Sequence, residues 1–423
     1  MMQNEEYKHL RRNIAVTISE GSLFGFGIGI ASFTTVIPLF VSQMTDSAIL
    51  IGLITAVHIM GWQVPQLLMA RSVSRLKRYK PMVMAMTIHE RLPFLGLALI
   101  AFFYNQLGPL AAIFLTFMML IWQGFGAGFT ANAWQNMIGK VIPPENLATV
   151  FGLQSSAFNL LSAGAAIIAG LALERQPFPI NYGLCFLGAF IALVISFFVL
   201  GLTREFDHEV TEETKAPPPL LHSIGDILRR DHNFRWFLGA RTLVQFGTMA
   251  FSFYTVYAAS RLLAGPYSIG VLTSVLFFAQ VIFNPLFGWI ADRWSRKGVL
   301  EIGALSIFLS AIIARYAPSV AWMYPSVILA ALANTAFWSI TMAMTLQFGE
   351  ERERPTYVGM ANTLIAPATI IAPLAGGWLA DAQGYDATFL LAATAGLLSV
   401  LVFHFFVKDP QRRARTSATV WQD

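Results

Sequence analysis

Twelve long apolar runs set the limits on what this chain can fold into. They fall at roughly 14–40, 49–70, 82–104, 108–134, 147–173, 181–202, 236–262, 268–291, 299–317, 320–347, 357–381 and 387–407, with ends placed to within about 2–4 residues. At about 1.5 Å per residue, each is long enough to cross a hydrocarbon layer of about 30 Å. Of the 423 residues, 56% are hydrophobic and only 12% are charged, and the mean hydropathy is +0.60. Soluble domains carry about 25% charged residues. This chain has too little polar surface to cover itself in water, so lipid is its solvent. In lipid every backbone N–H and C=O must be satisfied inside the protein, which leaves helices or a closed barrel. Runs of this length predict helices, because barrel strands need only about ten residues of alternating polarity.

The basic residues test the span map independently. With the N-terminal side taken as inside, the inner segments hold 23 of the 28 Lys and Arg residues. The other five are Arg91 and Arg241 within spans and Arg175, Arg261 and Arg315 at outer ends. A wrong span count would scramble that split, so the asymmetry predicts both termini on the cytoplasmic face. The net charge of +5 therefore reports topology, and no nucleic-acid partner is expected. The lone Cys185 excludes a disulfide framework or a thiolate zinc cluster. Lys8, Arg11 and Arg12 precede the first run without a small-residue cleavage site, which reads as an uncleaved first helix.

The longest loop, Thr203 to Arg235, divides the chain six spans and six. It begins acidic (Glu205 to Glu213), passes Pro217-Pro218-Pro219 and ends in an amphipathic piece around Leu220 to Arg230, which suits a linker ending in an interfacial helix. The expected domains are residues 1–202, a cytoplasmic linker 203–235, a second half 236–407 and a cytoplasmic tail 408–423. The halves also look repeated. A shift of 207 places Gly152 on Gly359, Ala165 on Ala372 and Gly170 on Gly377. Chance matching of small residues would look similar, although the matches hold the same place in each half.

One loop carries a motif. Gly288-Trp-Ile-Ala-Asp292-Arg293-Trp-Ser-Arg296-Lys297-Gly298 closes the eighth run and leads to the ninth. It resembles the loop signature of the major facilitator superfamily, as found in bacterial permeases. In that family the signature lies between helices two and three, with a weaker copy between eight and nine. The resemblance implies an all-α membrane protein of twelve transmembrane helices in two pseudo-symmetric halves. It also implies a secondary transporter in the bacterial inner membrane. Physically, Gly288 permits close helix approach, and Asp292 suits the positive end of a helix. The first-half loop departs from the pattern: Ala70 is followed by Arg71, with Arg75 beyond, and the expected Asp is missing. Glu350, Glu351 and Glu353 precede the eleventh run, so Arg71 or Arg75 is expected to pair with them; two solvated loops are the alternative. The Gly-Pro pair of family antiporters is also absent from the fifth run.

Ionisable groups inside spans are functional candidates by default. Glu20, about 9 Å into the first run, is the first candidate for a proton carrier, and an interaction with Arg241 is conceivable. Arg241 heads a stripe through Gln245, Thr248, Ser252 and Thr255; Asn334, Trp338, Thr341 and Thr345 form a second. Such stripes line water and solute, or else hydrogen-bond neighbouring helices. The resemblance implies that helices seven and ten line the cavity. His58, with Gln63 below it, either carries a proton or packs by hydrogen bonds. Glu90 and Arg91 are expected to pair with other helices in a structural role. Gly21, Gly25 and Gly29, and Gly124 and Gly128, form close-packing stripes.

The expected function is alternating-access transport of a small solute by a monomer in lipid, with protons as the candidate coupling ion and no cofactor or metal. A membrane-embedded enzyme or a non-transporting receptor is the alternative. The sequence contains no Walker loop, no His-Glu-x-x-His and no Gly-x-Ser-x-Gly.

Overall fold

The structure is a computed structural model that describes residues 8–33, 36–45, 48–206, 220–264 and 266–409. Most of the acidic stretch, the Pro217-Pro218-Pro219 run and nearly all of the basic tail lie outside those residues.

The apolar runs form helices, and no strand occurs among the described residues. The first run holds α1 (Leu10–Ile30) and α2 (Val36–Ser42), and the second holds α3 (Ala48–Gln63) and α4 (Pro65–Val73). Next come α5 (Lys80–Phe102), α6 (Tyr104–Val141), α7 (Leu147–Arg175) and α8 (Ile180–Leu200). A short helix, α9 (Leu220–Arg230), precedes α10 (His232–Thr248) and α11 (Phe251–Ser260) in the seventh run. Then follow α12 (Pro266–Arg293), α13 (Arg296–Arg315), α14 (Met323–Thr335) and α15 (Thr341–Thr345). The chain closes with α16 (Arg354–Thr363), α17 (Ala366–Gln383) and α18 (Tyr385–Phe405).

By length and composition, ten helical stretches among the described residues suffice to cross a membrane. The second and seventh runs complete the twelve, but each is interrupted. The second breaks at Val64, where Pro65 lacks a backbone N–H to continue the ladder. The seventh breaks at Met249–Ala250. In the tenth run a π-helical turn, Ala336–Ile340, joins α14 to α15. Such turns are rare and cluster at functional sites.

Helix α6 runs to Val141, seven residues beyond its predicted end. The polar residues Gln135, Asn136 and Lys140 make that stretch look like a loop. Each is almost fully buried, and Asn136 Nδ2 donates to the Asn132 carbonyl at 2.8 Å. The Lys140 Nζ donates to the Lys77 carbonyl and to Glu205 Oε1, both at 3.0 Å.

The chain divides into two compact units: Met1–Pro143, Ala157–Pro217 and Glu351–Thr363; and Pro144–Ser156, Pro218–Glu350 and Leu364–Asp423. The first centres on buried Phe40, Phe94 and Phe186. There the small residues of α1 meet α7: a side-chain carbon on Gly25 would lie 2.6 Å from the Phe158 carbonyl oxygen, so only glycine permits the crossing. The second unit centres on Tyr254, Tyr257 and Phe389, whose rings lie 5.2–5.6 Å apart in edge-on pairs between Phe389 and each tyrosine.

A repeated clamp ties the ends of each sequence half. In the first, Asn13 donates from Nδ2 to the Arg204 carbonyl and accepts from the Arg204 N–H, both at 2.9 Å. In the second, Asn233 does the same with Lys408, at 2.9 and 2.6 Å. The next residue is a carboxylate in both. Glu205 accepts from the Tyr79 and Lys80 N–H groups at the start of α5, at 2.8 Å each. Asp409 accepts at 2.6 Å from Ser295, which caps the start of α13. Carboxylates at helix N-termini are stabilised by the helix dipole.

Candidate functional site

The loop motif is assembled within the second unit. Its glycine, Gly288, meets the start of α7: a side-chain carbon there would lie 2.5 Å from the Ala148 carbonyl oxygen and 2.8 Å from Thr149 Cα. That approach brings Asp292 onto the N-terminus of α7, where it accepts from the Ala148 and Thr149 N–H groups at 3.2 and 2.7 Å. Arg296 is wholly buried. It donates to Asp292 Oδ1 at 2.8 Å, to the Ala343 carbonyl at 3.3 Å and to the Pro144 carbonyl. Sequestering this guanidinium is tolerable because a carboxylate and two carbonyls take up donors on both of its terminal nitrogens. Arg293 stacks on Trp289, 4.4 Å above the ring. Lys297 lies 3.5 Å from Glu301 and donates to the His404 carbonyl at 2.8 Å. Beside this cluster, Ser339 donates to Asn284 Oδ1 at 3.2 Å and lies 2.9 Å from the Ser155 hydroxyl.

The counterpart in the first unit uses amides. Arg71 and Arg75 are exposed, as are Glu350 and Glu351. Asn132 of α6 donates to the Gln66 carbonyl at 2.9 Å and to the Pro355 carbonyl at 2.8 Å. Asn362 donates to Gln66 Oε1 at 2.6 Å, and Thr363 donates to the Gln63 carbonyl at 2.8 Å. Thus α16 is held on α4 and α6 by neutral hydrogen bonds where α7 is held by a carboxylate. Gln63 itself is buried, and its side-chain oxygen has no hydrogen-bond partner among the described residues.

Within the spans, Glu20 is bound by Arg91 of α5, whose Nη2 lies 3.2 Å from Glu20 Oε1, and by the Ser196 hydroxyl at 3.1 Å. Helices α5 and α8 thus present a guanidinium and a hydroxyl to that face of α1. His58 Nδ1 lies 2.9 Å from Gln123 Oε1, and Phe33 stacks on the imidazole at 4.0 Å. Arg241 is buried, with its guanidinium 5.6 Å above the Phe237 ring. Gln245 and Thr248 are half-buried and adjoin the break before α11, and the Thr248 hydroxyl turns back to the Gln245 carbonyl at 3.2 Å. The side chain of Thr255 lies outside the described residues. The stripe through Asn334 and Trp338 does not stay on one face. Asn334 is half-buried and Trp338 is 54% exposed, whereas Thr341 and Thr345 are buried. The π-helical turn inserts an extra residue and rotates the later positions away.

Sequence reasoning missed Gln66, Asn132, Asn284, Ser339 and Asn362. The available signal was amides and hydroxyls standing alone in apolar runs, each of which must find a partner inside the protein.

Twelve apolar spans with a doubled end-clamp and a buried charged loop motif define a polytopic helical membrane protein. The model of the Major Facilitator Superfamily matches residues 89–265 and 237–422, and the chain belongs to that superfamily. Its fold is similar to that of the transporter FucP in the outward conformation (TM-score 0.76, 15% identity, covering 93% of this chain and 98% of that one). It is also similar to the proton:xylose symporter XylE (TM-score 0.72, 15% identity, 96% and 97% covered). In sequence it is 26% identical over 145 residues to the class H tetracycline resistance protein of Pasteurella multocida. It is 29% identical over 153 residues to the vesicular acetylcholine transporter of Homo sapiens. These matches span 36% and 29% of those relatives' lengths and 34% and 36% of this chain.

Proposed function

We propose that the protein is a secondary active transporter that moves a small solute by alternating access, with the proton as coupling ion. It works as a monomer in the bacterial plasma membrane with both termini cytoplasmic, and residues 1–202 and 236–407 are the two moving halves. The observation that carries this reading is the reciprocal exchange of helix starts. Residues 144–156, from the first sequence half, pack in the second unit, and residues 351–363, from the second half, pack in the first. Each is held by a few hydrogen bonds to side chains that can let go: Asp292 and Arg296 for one, Gln66 and Asn132 for the other. Helix starts that each unit can hold and release in this way are what an alternating-access cycle requires. The coupling ion is supported by the titratable groups held within the spans, and by the similarity in fold to FucP and XylE, which are proton symporters. A bacterial membrane accords with relatives in Bacillus subtilis, which are multidrug resistance proteins.

The test is counterflow. Candidate solutes are first selected by their thermal stabilisation of the purified protein, then loaded unlabelled into proteoliposomes, and uptake of external labelled solute is followed. Transient accumulation above equilibrium, with pH change in the lumen on solute addition, is the expected result. Purified protein that binds solute but gives no counterflow would overturn the transport reading in favour of a receptor.

A further inference from the structure

Three ionisable groups meet in the interior of the first unit, and their charges do not balance. Glu20 on α1 and Glu90 and Arg91 on α5 supply two carboxyls and one guanidinium. Their side chains are 7%, 14% and 4% exposed. Helix α8 adds the Ser196 hydroxyl and α5 the Thr87 hydroxyl. Among the described residues no other ionisable group is shown in contact with the cluster. Helix α6, which packs on α5, carries none between Tyr104 and Lys140. The neighbouring His89 is exposed and accepts from Trp122 at 3.2 Å. In α1 the only other ionisable groups are Arg11 and Arg12 near its start, and in α8 they are Tyr182 and Cys185 near its start.

The donors of Arg91 are committed. Its Nε donates to the Leu193 carbonyl at 3.0 Å, Nη1 to Thr87 and Nη2 to Glu20 and Ser196, both at 3.2 Å. Phe24 covers the guanidinium at 5.2 Å. The two carboxyls are not equivalent. Glu20 receives both the guanidinium and the Ser196 hydroxyl at 3.1 Å. Glu90 lies 3.7 Å from Nη1 and accepts only the longer 3.3 Å bond from Thr87. One cation neutralises one carboxylate. A second carboxylate without a partner cation is costly in a low-dielectric interior, and neutralising it with a proton removes that cost. Glu20 has the better ion-pair geometry, and Glu90 has the weaker contacts.

We propose that Glu90, sharing the single guanidinium of Arg91 with Glu20, holds the proton that is coupled to solute movement. The coupling part rests on the proton-symport reading above; the proton on Glu90 stands on geometry and charge count. The site moves the proton carrier from Glu20, the sequence candidate, to a neighbour of its ion pair.

Infrared difference spectroscopy of the purified full-length protein across a pH jump tests the charge count. Wild type is expected to show one protonated buried carboxyl at neutral pH. Glu90→Gln and Glu20→Gln should each show none, since one carboxylate then pairs with one guanidinium. N,N′-dicyclohexylcarbodiimide, which attacks protonated carboxyls, should modify Glu90 and spare Glu20 when its site is mapped by peptide mass. In proteoliposomes, Glu90→Gln should retain solute counterflow while solute-driven proton movement is lost. A wild type without the carboxyl band, a band that survives in Glu90→Gln, or modification at Glu20 overturns the assignment. Wild-type counterflow without proton movement, with the band present, overturns proton coupling instead and leaves the proton on Glu90 in place.

Discussion

Asp292→Ala is the substitution whose cost follows most directly from the structure. Asp292 is 4% exposed and serves three donors: the Ala148 and Thr149 N–H groups and the guanidinium of Arg296. Removing it takes the acceptor from a helix start, a loss of about 0.5–2 kcal/mol. It also strands Arg296, which has no exposed surface, and breaking a buried pair from one side costs about 3–5 kcal/mol. The second effect dominates, because a cap can be replaced by water and a sequestered guanidinium cannot. A cooperative unit of 150–250 residues loses roughly 2–4 °C per kcal/mol, so the midpoint should fall by roughly 6–20 °C. The double variant Asp292→Ala/Arg296→Met removes the stranded charge and should recover most of that fall, leaving only the capping loss. Thermal unfolding in detergent at one scan rate, followed by tryptophan fluorescence, reads both. The reasoning is refuted if the single variant falls by less than about 2 °C, or if the double variant is no more stable than the single one.

Glu205→Ala should destabilise by about 3–5 kcal/mol, since it leaves Lys140, 1% exposed, without its carboxylate; a midpoint unchanged from wild type contradicts this, and Glu205→Gln should lie between the two. Arg71→Glu and Glu351→Arg should each slow counterflow, and the double reversal should restore it; a double variant no faster than either single one removes the proposed pairing, which as an exposed contact is worth only about 0–1 kcal/mol to stability.

The twelve spans, the positive-inside split and the motif from Gly288 to Gly298 were legible because each rests on composition or on a fixed local spacing. The interruptions were not. Hydropathy reads the same across Met249–Ala250, where α10 stops, as within a continuous helix, and nothing in Ala336 to Ile340 announces a π-helical turn. Glu205 shows a different limit. It opens an acidic run and so reads as part of a solvated linker, yet it is buried against two backbone N–H groups and Lys140. Its signal was a second repeat: a shift of 204 places Arg204-Glu205 on Lys408-Asp409, a match that the shift of 207 does not make. The departure at Arg71 was legible as a missing acid, but its replacement was not. Gln66, Asn132 and Asn362 come from α4, α6 and α16, far apart in sequence, and only the fold brings them together.

That replacement makes the two helix starts unequal, and the inequality has a measurable consequence. The start of α7 is held by a carboxylate at its positive end and by a buried arginine on its preceding carbonyl. Charge-assisted bonds of this kind are about twice as strong as neutral ones. Helix α16 is held by amide and hydroxyl bonds, at the Pro355 carbonyl in its first turn and at Asn362 and Thr363 at its end, each worth about 0.5–1.5 kcal/mol net. Local opening follows the weaker set of contacts, so α16 should detach first. Hydrogen–deuterium exchange read by peptide mass should then show the amides of Arg354–Thr363 exchanging before those of Leu147–Phe151. Asp292→Ala weakens only the contacts at the α7 start and should reverse the order. Earlier exchange at Leu147–Phe151 in the wild type would show that the buried ion pair does not hold the α7 start more firmly than the amides hold α16.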